Sequence, residues 1–94
     1  MSTQGTALLD FGATYKTDAT IAVASAGIGS GSLVEAWLSP AATADHSQDE
    51  HVAVSADLAI TCGPPNAGVG FTIYGVYSVP GGLAGKWNVS WVYN

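Results

Sequence analysis

Arginine is absent from the sequence, and lysine occurs only at Lys16 and Lys86. Phosphate contacts need clustered Lys and Arg, so a chain with a formal net charge of −5 is not expected to bind nucleic acid. The same deficit speaks against an anionic membrane surface as a partner. Cys62 is the only cysteine, which excludes an intrachain disulfide. No apolar run approaches the length of a membrane span. The N-terminal stretch Met1-Ser2-Thr3-Gln4-Gly5 has neither the basic nor the apolar region of a signal peptide, which points to a product of the cytoplasm or something assembled there. Charge of either sign is scarce, at 10% of 94 residues, against about 25% in ordinary domains. A free monomer of this size usually keeps itself in solution with a surface about 25–35% charged. Either Ser, Thr and Gly replace that charge here, or other subunits cover much of the surface. Three tryptophans and four tyrosines favour the second alternative, because aromatics are enriched in interface cores.

The residues that are present alternate with a period of two, the signature of strands. The length fits a single domain over residues 1–94 with a thin core. In Trp87–Tyr93, Trp87, Val89, Trp91 and Tyr93 share one face and Asn88 and Ser90 the other. Gly70–Val79 places Phe71, Ile73 and Tyr77 on one face, and Thr72, Tyr74, Val76 and Ser78 on an opposite face too apolar to be simply wet. Val52–Cys62 alternates as well and reads as one long strand. Weaker strands are expected over Thr6–Phe11, Ala19–Ala26 and Leu33–Leu38, the last with Val34, Ala36 and Leu38 inward and Glu35 and Trp37 outward. Gly27–Gly31, Cys62–Gly68 and Val79–Gly82 carry turn chemistry. Pro40–Asp45 reads as loop or a single turn. The expected fold is all-β, a small antiparallel β-sandwich or barrel of about six strands.

Sites for chemistry are few, and no catalytic residue, cofactor or metal is assigned. The densest polar cluster is Asp45-His46-Ser47-Gln48-Asp49-Glu50-His51. His46, His51 and a carboxylate are ordinary zinc ligands, but their spacing matches no metal motif, so the segment reads as an exposed charged loop. Cys62 has no base nearby in sequence and reads as a small apolar core residue. Gly27-Ile28-Gly29-Ser30-Gly31 lacks the lysine and following helix of a phosphate loop. Asn88-Val89-Ser90 fits a glycosylation sequon but lies within a strand. A hydrolytic carboxylate pair would need Asp10, Asp18, Glu35 or Asp57 to converge in a cleft. The aromatic residues carry the remaining expectation. Trp87, Val89, Trp91 and Tyr93 are expected to form a buried row in the core or at a subunit contact, and Trp37, Trp87, Trp91 and Tyr93 are the candidate interface residues, with an exposed sugar-stacking platform of Trp37, Trp87 and Trp91 as the competing reading.

Several strings carry a resemblance. They are Ala7-Leu8-Leu9-Asp10-Phe11-Gly12, Gly31-Ser32-Leu33-Val34-Glu35-Ala36-Trp37-Leu38, Ala42-Thr43-Ala44-Asp45-His46 with Asp49-Glu50-His51, Gly70-Phe71-Thr72-Ile73-Tyr74, and Gly85-Lys86-Trp87-Asn88-Val89-Ser90-Trp91. Through them most of the chain resembles a group of small virion proteins of tailed double-stranded DNA bacteriophages of proteobacteria. The resemblance implies a particle component assembled in the host cytoplasm and carries over no catalytic residue. Together with the composition it leads to a non-enzymatic capsid decoration (cement) subunit. That subunit would form a homo-oligomer, a trimer in preference, and contact the major capsid protein or tail proteins. A tail, fibre or baseplate component with a receptor- or glycan-binding role is the alternative.

Overall fold

A computed structural model describes residues 2–94; Met1, the first residue of the N-terminal stretch read above, lies outside them. Six strands and one helix follow in the order β1 (Thr3–Asp10), β2 (Asp18–Ala24), β3 (Val34–Leu38), α1 (Gln48–Val54), β4 (Leu58–Cys62), β5 (Gly70–Tyr77) and β6 (Lys86–Tyr93). They form two antiparallel three-stranded sheets, ordered β1-β6-β3 and β2-β5-β4. The expected all-β sandwich is therefore what this sequence builds. Only β4 and β5 are joined as sequential neighbours within one sheet; every other connection passes from one sheet to the other.

The alternation seen in the sequence becomes the inner faces of the two sheets. Leu9, Trp87, Val89 and Tyr93 from one sheet meet Leu58, Phe71 and Ile73 from the other, and Phe11, Ile28 and Leu83 close the ends. Burying a large apolar side chain contributes about 1.5–3 kcal/mol, so this cluster is the main source of stability. Val34, Ala36 and Leu38 point inward as expected, while Glu35 and Trp37 face out. A missing side chain also shapes this layer. Gly5 pairs with Trp91 across the ladder, and a Cβ at position 5 would run into the Trp91 indole ring. The C-terminus is tied down: Asn94 N–H donates to the Leu33 carbonyl at 3.3 Å, and Asn94 Oδ1 accepts from Leu33 N–H at 3.2 Å.

One long strand expected from the sequence is corrected. Val52–Cys62 is split into the end of α1, a turn at residues 55–57, and β4. Ser47 starts the helix by accepting a bond from Glu50 N–H, while the Glu50 carboxylate accepts from Ser47 N–H. This reciprocal pair satisfies two amides that a helix start otherwise leaves open. The helical turn moves Val52 out to 55% exposure, whereas Leu58, Ile60 and Cys62 keep the alternation and turn inward. Among the described residues, no helix is long and apolar enough to cross a membrane.

Candidate functional site

The polar segment 45–51 is exposed at Asp45 and Ser47–Glu50, as its composition suggests, but it is not a plain loop: it enters α1, with His46 partly and His51 fully buried. It packs against the start of β6 at one end of the sandwich. Thr43 Oγ1 donates to the Lys86 carbonyl at 2.8 Å and accepts from the amides of Asp45 and His46 at 3.2 and 3.1 Å. Asp45 Oδ2 accepts from Lys86 N–H at 2.8 Å. The His46 ring then lies face to face on Trp87, with centroids 3.7 Å apart and planes 17° from parallel. Its Nδ1 is 3.1 Å from Glu50 Oε2 and its Nε2 is 2.6 Å from the Ala84 carbonyl. Both partners are acceptors. Gly85 makes this approach possible: its φ is +79°, and a Cβ there would stand 3.0 Å from His46 Nε2.

His51 is completely buried. Its Nδ1 donates to the Ser47 carbonyl at 2.8 Å, and its Nε2 accepts from Asn88 N–H at 3.0 Å. The sheet register explains the second bond. Leu38 pairs with Val89, and Ser39 N–H donates to the Asn88 carbonyl at 2.9 Å, so Ser39 would also offer the acceptor for Asn88 N–H. The chain leaves the sheet at Pro40 instead, and the imidazole takes over. The segment read as a charged loop with no metal assigned thus contributes, through His46 and His51, a brace that joins α1 to β6. Among the described residues, no group of three or more His, Cys, Asp or Glu is placed to hold a metal ion.

The remaining ionisable side chains are dispersed. Asp10 pairs with Lys86, and Glu35 with Val92. Six residues of β6 separate these positions, roughly 20 Å at ~3.3 Å per residue. Asp10, Asp45, His46, Gly85 and Lys86 line an open hollow of about 490 Å³. Glu50 is held below its ordinary carboxylate range, first by the bond from the Ser47 backbone and then by the His46 side chain. Burial pushes the Cys62 thiol up, and the nearby charge of Glu35 adds to this. Cys62 packs against the core, the place its sequence context suggests.

The four aromatic candidates divide. Trp87 and Tyr93 are 2% and 5% exposed and belong to the core of the chain itself. Trp87 Nε1 donates to the Ala84 carbonyl at 3.2 Å, and the Tyr93 hydroxyl bonds Ser25 Oγ. Trp91 is partly buried, stacks on Tyr93 with centroids 5.9 Å apart, and meets Phe71 edge-on; among the described residues its Nε1 has no hydrogen-bond partner. Trp37 alone stands in the open, 46% exposed on the outer face of β3. A three-tryptophan platform is therefore not formed.

Two outer sheet faces remain. On β2-β5-β4, Asp18, Thr20, Ala22 and Ala24 lie beside Thr72, Tyr74 and Val76, which lie beside Ala59 and Thr61. Tyr74 and Val76 are 42% and 54% exposed, and Asp18 is the one carboxylate among these positions. On β1-β6-β3, Trp37 pairs with Ser90, and Ser90 pairs with Thr6 on the other side. No family model, curated protein or solved structure matches the chain.

The sequence contained one signal for the brace that composition obscured. Ser47-Gln48-Asp49-Glu50 has the spacing of a capping box, and His51, Val54 and Leu58 are the less exposed positions after it, at helical spacing through the first turn. The ladder-ending role of His51 has no local signal, because it depends on where β3 leaves the sheet.

Proposed function

We propose that this chain is a non-enzymatic structural subunit of a virus particle, a capsid decoration protein that acts through protein–protein contact and associates as a homotrimer. The observation that carries this reading is the outer face of β2-β5-β4. Its side chains are small or neutral, Tyr74 and Val76 stand proud of it, and its only carboxylate is Asp18 at one corner. Interface cores are depleted in charge and enriched in tyrosine, whereas a free surface is usually about 25–35% charged. The resemblance of the quoted strings to phage virion proteins supplies the biological setting.

The test is quantitative mass spectrometry of purified particles from the system that encodes the chain, with wild type and Val76→Asp compared. The expected result is many copies of the wild type per particle and strong depletion of the variant, which stays folded by circular dichroism and melts only modestly lower because its new carboxylate faces Asp18 across the ladder. Absence of the wild-type chain from intact particles contradicts the proposal.

A further inference from the structure

On the other side of the sandwich, the β1-β6-β3 sheet carries a hollow of about 310 Å³ whose lining includes Gln4, Thr6, Trp37, Ser90 and Trp91. We propose that this hollow is a binding site for a neutral saccharide, with Trp37 as the stacking surface. The inference goes beyond the assembly role and does not rest on it, since it concerns the opposite sheet.

The placement follows from the ladder. Thr6, Ser90 and Trp37 form one cross-strand row, and Gln4, Val92 and Glu35 form the next on the same face. Trp37 is nearly half exposed, although a large aromatic usually gains by burial. An indole face is negative and attracts the weakly positive C–H groups on the apolar side of a sugar ring. The residues around it are the types that pair with hydroxyl groups. The Gln4 amide both donates and accepts, and the Thr6 hydroxyl does the same. Among the described residues neither side chain has a hydrogen-bond partner, whereas the Ser90 hydroxyl is engaged by Ser39 Oγ. Gln4 and Thr6 are thus free to turn toward a ligand.

Charge selects the ligand class. No lysine or arginine lines the hollow, and Glu35 occupies the adjacent row, so anionic ligands are disfavoured. The volume lies at the small end of the roughly 300–1,000 Å³ typical of small-molecule sites. One aromatic with two free polar side chains, on an open surface, fits weak recognition of a few sugar units rather than tight enclosure.

The experiment is a titration of ¹⁵N-labelled chain with maltoheptaose, cellohexaose and chitohexaose, each up to on the order of 10 mM, which detects Kd values in the millimolar range. At least one is expected to shift the Trp37 indole resonance together with the Gln4 side-chain amide and the Thr6 backbone amide. The Trp87 indole, which is buried, should stay in place. Trp37→Ala should weaken binding at least tenfold with little change in melting temperature, and Trp37→Phe should retain part of it. The inference is overturned if none of the three sugars moves the Trp37 signal, or if the shifts centre elsewhere. It is also overturned if Trp37→Ala leaves sugar binding intact. Loss of self-association in Trp37→Ala without any sugar response identifies the face as a contact between copies instead. None of these outcomes bears on the incorporation of Val76→Asp into particles.

Discussion

At His51 the two ring nitrogens have different partners: Nδ1 donates to a helix carbonyl and Nε2 accepts from a strand amide. The neutral tautomer with hydrogen on Nδ1 satisfies both. A buried amide left without an acceptor costs about 1–3 kcal/mol, so His51→Leu, which fills the space without replacing the acceptor, should destabilise by about that amount. Amide exchange at Asn88 should quicken in the same variant. Trp91 offers the complementary case. Trp91→Ala removes a large ring packed on Tyr93 and Phe71 and should cost about 3–5 kcal/mol in a denaturant melt. Trp91→Phe should cost far less, because it discards a donor that has no partner among the described residues and keeps an aromatic in the layer.

The helix is the element whose behaviour depends most on a few side chains. Ser47→Ala removes the N-terminal cap and should lower stability by about 1 kcal/mol, within the usual ~0.5–2 kcal/mol for such caps. Glu50 adds a pH dependence. Its folded value is depressed, by the Ser47 backbone first and His46 second, so ionised Glu50 favours the folded state above its unfolded value of about 4.3. That contribution fades as the pH falls through the lower folded value. Glu50→Gln preserves the capping geometry and removes the titration. Melting temperatures followed downward from about pH 4.3 should therefore fall less steeply in the variant than in wild type.

Strands and helix differ in how plainly the sequence announces them. Trp87, Val89, Trp91 and Tyr93 form an inward row because the period of a strand is fixed by backbone geometry, and the same argument placed Phe71 and Ile73 correctly. Val52 and Val54 fit that period by coincidence. The cap at Ser47 and Glu50 decides against it locally, and the alternation resumes at Leu58. The His46–Trp87 stack lay beyond reach for a different reason: the partners are 41 positions apart and meet only after the β5–β6 connection folds back. Trp37 was legible as outward-facing, while its separation from the other two tryptophans follows from their inward-facing positions in the central strand β6.

For the molecule as a whole, the two large faces have different chemistry. One is small, neutral and centred on Tyr74 and Val76; the other is polar and centred on Trp37. The proposed assembly contacts fall on the first. A carboxylate introduced there must be desolvated on association, at a cost of several kcal/mol, while in the free chain it remains in water. Tyr74→Glu and Val76→Asp should consequently abolish association while the chain stays folded, with a modest loss of thermal stability from the lost contacts between copies and, at position 76, from the facing carboxylate of Asp18. Sedimentation equilibrium of wild type beside Val76→Asp, from micromolar concentrations up to about 1 mM, decides whether this face joins copies of the chain. The expectation is a three-chain mass for the wild type and a single-chain mass for the variant. A wild type that remains a single chain throughout that range contradicts it.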